Sequence, residues 1–251
     1  MEILGIDIGG SSIKGALVDI SNGSLTSERI RIPTPEPQKP KQVGSIVVGI
    51  SRKLGNTGIL GVGFPSVIKN GVCYSAANVH KAFMKADVAG VISKATGCPT
   101  FVLNDADAAG IAEMRFGIGK GLSSGSVLFI TIGTGIGSAF FINGQLLPNT
   151  ELGHLKIRGK DAEDRASDAV RQSHNLSWKE WGKRLTEVLR TYEFLFNPDL
   201  IILGGGISSR FDKYEEYLNV DTKIVPAKLE NLAGIIGAAM AAAEYFGSSK
   251  I

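Results

Sequence analysis

Two glycine-rich turns with the same local pattern constrain this chain more than any other feature. The stretches "DIGGSSIKGALVDI" (7–20) and "TIGTGIGSAFFING" (131–144) each run from an apolar strand through a glycine turn into a second apolar strand. A dinucleotide fingerprint requires G-x-G-x-x-G followed by a helix. The second stretch instead continues as an alternating strand and ends in Asn143-Gly144, a dipeptide typical of hairpin loops. We therefore predict two β-hairpins.

The tips of these hairpins are candidate anion sites. Glycine leaves the backbone N–H groups unhindered, and a cradle of such groups suits a phosphate. A single turn of this kind is explained as well by a tight hairpin that binds nothing. Two of them, one in each half of the chain, favour a phosphate chain held from both sides.

Strands and helices alternate along the rest of the chain. The stretches "ILGVGFP" (59–65) and "TFVLND" (100–105) are typical of buried strands, and an Ala-rich helix follows the second. Residues 176–196 predict a long helix, with Ser177 as its N-cap and Glu180 completing a capping box.

This alternation predicts an α/β protein of two related lobes. We expect residues 1–103 to form the N-terminal lobe and residues 104–231 the C-terminal lobe. A small-residue helix at 232–251 is expected to pack back on the N-terminal lobe, closely against its neighbour.

Composition limits the partners. The net charge of +3 is too small to indicate nucleic acid, and Cys73 and Cys98 are too few for a disulfide framework or a four-cysteine zinc site. The chain starts without a signal-peptide pattern, and the apolar segment 232–246 is shorter than the ~20 residues of a membrane span. We expect a cytoplasmic protein with no nucleic-acid or membrane partner.

Two places carry side chains suited to chemistry. Asn104 and Asp105 end a strand and start a helix, where such residues often serve only as N-caps. Asp105 is also placed to accept a proton from an attacking hydroxyl, so it is our catalytic candidate. Glu151 and His154 flank a glycine turn in "ELGH", and together they suit adjacent hydroxyls of a sugar.

The two glycine turns resemble the phosphate motifs of the sugar kinase, actin and Hsp70 superfamily, and "LGGGIS" (203–208) resembles its third element. This resemblance implies an actin-like, ribonuclease H-like fold with a cleft between the lobes. It places Asp7 near the transferred phosphate and indirectly at a Mg²⁺ ion, the expected cofactor. The phosphate-binding residues that it implies are Asp7, Gly9, Gly10, Ser11, Ser12, Lys14, Thr131, Gly133, Thr134, Gly135, Gly204, Gly205 and Gly206.

The E-x-G-H motif after the second hairpin resembles that of the ROK family (repressors, open reading frames and sugar kinases). Most members follow the His with a cysteine-rich zinc loop, which "IRGKDAED" replaces here. The resemblance therefore implies no zinc site, a metal-free His154 and a sugar role for Glu163, which matches the last residue of that loop. The sugar-binding residues that it implies are Gly63, Pro65, Ser66, Asn78, Asn104, Asp105, Glu151, His154 and Glu163.

Further segments in the same order, "GVGFPSVIKNG", "SAANVHK", "DAEDRAS" and "VPAKLENLAGIIGAA", resemble the polyphosphate-using branch of the family. This implies transfer of a phosphoryl group from inorganic polyphosphate, with ATP as a second donor, to the 6-hydroxyl of glucose. Candidate cations along a polyphosphate path are Lys14, Lys81, Lys85, Lys120, Lys156, Arg158 and Lys160.

Three alternatives stay open. One is an ATP-dependent hexokinase for glucose or mannose. Another is a sugar-responsive repressor, which we rank far lower because the repressors of the family carry a helix-turn-helix domain ahead of the first phosphate turn, and here that turn begins at residue 7. The third is a sugar-binding regulator without catalysis. Relatives also suggest a homodimer. The helix face around Trp178 and Trp181 either supplies its contact or packs within the chain.

Overall fold

The computed structural model describes residues 1–56, 58–77 and 79–248. Its strands are β1 (Glu2–Ile8), β2 (Ser12–Asp19), β3 (Ser24–Leu25), β4 (Ile30–Pro33), β5 (Leu60–Phe64), β6 (Ile68–Lys69), β7 (Val72–Cys73), β8 (Thr100–Asn104), β9 (Ser126–Ile132), β10 (Ile136–Ile142), β11 (Gln145–Leu147), β12 (Lys156–Ile157), β13 (Lys160–Asp161), β14 (Leu200–Gly204) and β15 (Ile224–Pro226). Its α-helices are α1 (Pro40–Lys53), α2 (Val88–Thr96), α3 (Asp105–Phe116), α4 (Ala162–Ala166), α5 (Asp168–Ser173), α6 (Trp178–Phe196) and α7 (Ala233–Ser248).

The chain divides into two compact units. The first contains Met1–Ala112 and the C-terminal segment from Leu232, and the second contains Glu113–Asn231. The division falls within α3, later than the boundary at 103/104 that the sequence suggested. The last residues of the predicted C-terminal helix, 249–251, lie outside the described residues.

The first unit is built on a sheet in the order β3-β2-β1-β5-β8, with β4 pairing to β2. Strands β1 and β2 form an antiparallel hairpin, whereas β5 and β8 join β1 in parallel. Parallel strands align their carboxyl ends at one edge of a sheet, where ligands of α/β proteins commonly bind. The ends of β1, β5 and β8 therefore bring the first glycine turn, Gly63 and Asn104 to the same edge.

The second unit repeats this plan. Its sheet has the order β11-β10-β9-β14-β15, with an antiparallel hairpin of β9 and β10 and with β14 and β15 added in parallel. The mixed α/β architecture and both predicted glycine hairpins are thus confirmed. The loop between β10 and β11 is Asn143-Gly144, and both residues have the positive φ angles of a primed hairpin turn.

Helix α6 confirms the predicted capping. The Ser177 hydroxyl accepts the Glu180 N–H at 3.2 Å, and the Glu180 carboxylate accepts the Ser177 N–H at 2.9 Å. Trp181 is fully buried within the second unit, and Trp178 stacks on the Tyr214 ring at 6.0 Å between centroids. Of the two rings that marked a candidate dimer contact, Trp181 therefore belongs to the core of this unit, whereas Trp178 is partly exposed.

Helix α7 approaches the first sheet more closely than side chains would allow. A Cβ atom built on Gly5 would lie 2.0 Å from the Ile235 carbonyl oxygen, and one on Gly61 would lie 1.9 Å from that of Ala238. On α7 itself, a Cβ at Gly237 would lie 1.6 Å from the Ala108 carbonyl oxygen of α3. These glycines let backbone pack against backbone, as the small residues of α7 predict.

Within the described part of the chain, no helix combines the length and apolarity that a membrane crossing needs.

We expect Gly61→Ala to lower the free energy of unfolding by about 3 kcal/mol, because the added methyl group must displace α7 or β5. Gly49→Ala is the matched control, since it lies on the exposed face of α1 with nothing within 4 Å of a built Cβ. That substitution should raise stability by up to about 1 kcal/mol through helix propensity. Urea unfolding of the two variants would contradict the packing argument if both behaved alike.

Candidate active site

The first glycine turn is held in a defined shape by the strands beside it. The Gly9 N–H donates to the Ser12 carbonyl at 3.0 Å, and the Thr34 hydroxyl donates to the Gly9 carbonyl at 2.6 Å. Gly10 and Ser11 are exposed at the tip, whereas Ser12 is buried. The turn therefore presents open backbone at Gly10 and Ser11, as an anion site requires.

Asp7 and Lys14 face each other across the hairpin. They are directly paired in the register of β1 and β2, and the Lys14 ammonium contacts Asp7 Oδ2 at 2.9 Å. A Cβ built on Gly234 would lie only 2.9 Å from the Asp7 Cγ, so the carboxyl group rests against the first turn of α7. The positive end of a helix dipole favours an anion at this position.

The loop after β5 has its hydroxyl turned inward. Ser66 is only 3% exposed, and its Oγ donates to the Ser75 carbonyl at 2.7 Å and lies 3.0 Å from Cys73 Sγ. These contacts engage the Ser66 side chain in holding the loop. Gly63 is buried and Pro65 is partly exposed in the same loop, whereas Asn78 lies outside the described residues.

Asn104 and Asp105 start helix α3 at the carboxyl end of β8. The Asn104 amide oxygen accepts the Ala106 and Asp107 N–H groups at 2.9 and 3.0 Å, so Asn104 is the N-cap of the helix. Asp105 Oδ1 shares the Ala106 N–H at 2.8 Å. Its amide nitrogen donates to the Ser66 carbonyl at 3.2 Å. Asn104 thus ties the loop after β5 to the start of α3, next to Asp105.

Asp105 shares its sheet edge with the first glycine turn. In the sheet register, Asp7 pairs with Gly63, which pairs with Leu103, so Asp7 and Leu103 are separated by two strand spacings, roughly 10 Å. A Cβ on Gly63 would lie 3.5 Å from the Asp105 Cα, which places Asp105 directly beside this glycine.

The second glycine turn and the third glycine element meet in the second unit. Gly204 pairs with Thr131 in the sheet, and a Cβ on Gly205 would lie 2.5 Å from the Ile132 carbonyl oxygen. Gly205 also has a φ of 78°, which favours glycine. Thr134 and Gly206 are exposed, and a Cβ on Gly133 or Gly206 would meet nothing within 4 Å. The second glycine turn and the third glycine element thus lie side by side, and each has backbone that no neighbouring atom covers.

The loop that carries Glu151 and His154 packs on the start of β10. A Cβ on Gly153 would lie 2.0 Å from the Ile136 carbonyl oxygen, so only glycine fits between the flanking residues. The Ser138 hydroxyl donates to the Thr150 carbonyl at 2.7 Å, and the Tyr192 hydroxyl donates to the Leu152 carbonyl at 2.7 Å. Sheet and helix α6 together fix this loop.

Glu163 connects the loop to the second glycine turn. Its Oε2 accepts the Ile136 N–H at 3.2 Å, immediately after the turn, and its Oε1 lies 3.7 Å from His154 Nδ1. His154 Nε2 lies 3.7 Å from Glu151 Oε2. The structure thus groups Glu151, His154 and Glu163, three sugar-binding candidates, around one end of β10.

Burial raises the pKa of Glu151, and the nearby Glu163 carboxylate raises it further while His154 opposes the shift. A carboxyl group with a raised pKa suits hydrogen bonding to a neutral hydroxyl, since its charged form is poorly solvated in the free protein.

The seven lysine and arginine residues that were candidates for a polyphosphate path have different environments in the structure. Lys14 contacts Asp7, Lys85 lies 3.8 Å from the Tyr74 ring centroid, Lys156 contacts Asp161 and Arg158 contacts Glu187. Lys81, Lys120 and Lys160 are exposed. In the described ranges, no three His, Cys, Asp or Glu side chains converge as a metal site.

Mg²⁺ binds protein through one or two carboxylates and otherwise through substrate phosphates and water. A single carboxylate, Asp7, beside an open glycine turn fits that donor set.

Comparison with known proteins identifies the family. The ROK family model matches residues 3–165, and the chain belongs to this family. A polyphosphate glucokinase of Mycobacterium tuberculosis is 46% identical over 238 residues, covering 94% of this chain and 89% of that protein.

Solved structures agree as well. An inorganic polyphosphate/ATP-glucomannokinase from Arthrobacter superposes with a TM-score of 0.94 at 47% identity, covering 97% of this chain and 99% of that one. A ROK glucokinase from Streptomyces griseus, at 21% identity and covering 97% and 100%, shares the fold with a TM-score of 0.85. The predicted family and the actin-like, two-lobed fold class are confirmed.

Sequence reasoning missed Asp161, whose Oδ2 lies 3.4 Å from His154 Nδ1. The signal was present in "KIRGKD", where the positive-φ pair Arg158-Gly159 turns the chain between two short strands and pairs Lys156 with Asp161. Recognising that two-residue hairpin would have placed Asp161 near the loop of His154.

The pH dependence of stability tests the environment of Glu151. Because its pKa in the folded protein is above the ordinary 4.5, ionisation destabilises the fold, and the penalty appears as the pH rises above 4.5. Relative to the wild type, Glu151→Gln should therefore gain stability in that range, as measured by urea unfolding from pH 4 to 7.

Glu180→Gln is the control, because the pKa of Glu180 is shifted in the opposite direction to that of Glu151. Hydrogen bonds from Ser177 lower the pKa of Glu180, so this group stabilises the fold above pH 4.5 and loses that contribution as the pH falls through its lowered pKa. The Gln variant should show a deficit at neutral pH that shrinks below pH 4.5. Parallel pH profiles for both variants would contradict the assigned environments.

Proposed function

We propose that this protein is a phosphotransferase that moves a phosphoryl group from inorganic polyphosphate, and also from ATP, to the 6-hydroxyl of glucose. The observation that carries the proposal is Asp105 at the same sheet edge as the first glycine turn, beside Gly63, in a chain that carries a second glycine hairpin of the same topology. The 46% identity to polyphosphate glucokinases over 94% of the chain supports the choice of substrates.

In the proposed reaction, Asp105 accepts the proton of the 6-hydroxyl as that oxygen attacks the terminal phosphorus. The new O–P bond forms while the bond to the bridging oxygen breaks, and the shortened polyphosphate, or ADP, leaves with the electron pair. Phosphoryl transfer has a loose transition state, so the protein mainly orients the reactants and neutralises charge. Asn104 holds the start of α3 and thereby the backbone at Asp105.

The residues proposed to contact the sugar are Glu151, His154, Glu163, Asn104, Asn78 and the backbone of Gly63, Pro65 and Ser66. The hydroxyl of Ser66 turns inward, so a backbone contact is proposed for this residue, whose carbonyl also accepts from the Asn104 amide nitrogen. An imidazole and a carboxylate can satisfy the donor and the acceptor of neighbouring hydroxyls, which is how a site distinguishes hexoses.

The donor phosphates are proposed to bind to the glycine turns at Gly9–Ser12 and Thr131–Gly135 and to Gly204–Gly206. Lys14 contacts Asp7 in the free protein and is proposed to move to phosphate oxygens when the donor binds. Mg²⁺ would be held by the phosphates with Asp7 nearby, and it supplies neutralisation of the charge that develops on the transferred group.

Mannose is a second candidate acceptor, because the Arthrobacter structure at 47% identity is a glucomannokinase. We further propose a homodimer that works in the cytoplasm, without nucleic-acid or membrane partners.

The decisive experiment supplies purified protein with glucose and Mg²⁺ and either polyphosphate or ATP, and follows glucose 6-phosphate with a coupled dehydrogenase. We expect turnover with both donors, faster with polyphosphate, and slower turnover when mannose replaces glucose. Product with ATP alone would make the protein an ATP-dependent hexokinase, and no product with any hexose would overturn the proposal.

Asp105→Asn should lower kcat by about 10³-fold with little change in either KM, because a positioned general base contributes roughly 10²- to 10⁴-fold. Asp212→Asn, an exposed carboxylate on the surface of the second unit, is the matched control and should retain full activity. Retention of kcat in the Asp105 variant would remove this residue from the mechanism.

A further inference from the structure

Carboxylates surround the imidazole of His154. Nε2 lies 3.7 Å from Glu151 Oε2, while Nδ1 lies 3.4 Å from Asp161 Oδ2 and 3.7 Å from Glu163 Oε1. Asp161 is thus the nearest group to Nδ1, and the only one of the three within hydrogen-bond distance of the ring in the described residues. The other two belong to the proposed sugar site.

Asp161 is held in place by a small hairpin. Strands β12 and β13 pair Lys156 with Asp161, and the Lys156 ammonium contacts Asp161 Oδ1. The Ala162 N–H donates to the Leu155 carbonyl at 3.0 Å, which closes the base of the hairpin. At its tip, Arg158 contacts Glu187 of helix α6. The carboxylate is therefore fixed by its own strand pair and by the anchor of the hairpin to helix α6.

The charge state of Asp161 determines the direction of the hydrogen bond. The bond from Lys156 lowers the pKa of Asp161, so this group is an ionised carboxylate that can only accept. Nδ1 must then carry the hydrogen. Glu163 does not compete well for it, because its Oε2 already accepts the Ile136 N–H and its Oε1 is farther from the ring.

We propose that Asp161 is a positioning residue that accepts Nδ1–H of His154 and thereby leaves Nε2 as the ring atom next to Glu151 for a substrate hydroxyl. The partner of one imidazole nitrogen sets which nitrogen is protonated and how the ring is oriented. The part of this inference that concerns the hydroxyl rests on the proposed function, whereas the tautomer and its cause do not.

The tautomer can be measured without any substrate. The chain has three histidines, so nitrogen NMR of the ¹⁵N-labelled protein, at a pH where the rings are neutral, resolves each ring, and His154→Gln assigns the signals. We expect His154 to be protonated at Nδ1. Asp161→Asn should keep this tautomer, since the amide oxygen still accepts, whereas Asp161→Ala should lose it.

The comparison of the two variants separates positioning from simple stabilisation of the hairpin. Both remove the ion pair with Lys156, so equal loss of the tautomer in both would overturn the inference, as would an unchanged tautomer in Asp161→Ala. Unshifted His80 and His174 signals verify that each variant is folded. Asp164→Asn removes an exposed carboxylate of the neighbouring helix α4 and should change nothing.

Kinetics provide the second test. We expect Asp161→Ala to raise KM for glucose roughly tenfold, the scale of losing a residue that orients a ligand, while KM for the phosphoryl donor is unchanged. Asp161→Asn should lie close to the wild type. An equal rise in both KM values would contradict positioning of the sugar site. If the wild type phosphorylates no hexose, the proposed function fails, and the NMR result still decides the role of Asp161.

Discussion

The approach of helix α7 to the first sheet is the constraint on which the first half of the site depends. Gly5, Gly61 and Gly237 allow backbone to meet backbone at distances where any Cβ would overlap a carbonyl oxygen. Because β1 and β5 carry Asp7 and Gly63 at their carboxyl ends, the helix that rests on them also determines where those residues lie. The first turn of α7 also lies against the Asp7 carboxyl group. The packing of α7 therefore sets the position of Asp7, and the positive end of its dipole favours the charged carboxylate there.

Strand β10 has the equivalent role in the second unit. Its first residue, Ile136, directly follows the second glycine turn. The Ile136 N–H donates to Glu163, and the Ile136 carbonyl oxygen packs against Gly153. One short stretch of backbone therefore supports both the second glycine turn and the loop of Glu151 and His154. A shift at either place would move the other, which suits a reaction in which the relative placement of donor and acceptor supplies most of the rate.

The two units share a plan and differ in what they add to it. Each has an antiparallel hairpin with a glycine turn, extended by two parallel strands. The first adds a capped helix that starts at Asp105, and the second adds a loop and a hairpin rich in ion pairs. The shared part corresponds to phosphate binding in the proposed function, and the added parts correspond to the general base and the sugar contacts. In this chain, ion pairs around β12 and β13 hold the region next to His154.

The sequence alone determined the family, the α/β class, both hairpins and the capped helix α6, because these depend on local patterns: glycine spacing, alternation, and Ser177 with Glu180 three residues later. It also placed Asn104 and Asp105 at a strand end. Only the tertiary structure decided that Ser66 turns its hydroxyl inward, that Asn104 and Asp105 share the Ala106 N–H at the start of α3, and that Asp161 lies within hydrogen-bond distance of His154. The first two outcomes depend on rotamers that packing selects. The third depends on how the loop of His154 folds against the β12–β13 hairpin, although the turn of that hairpin could have been read from "KIRGKD".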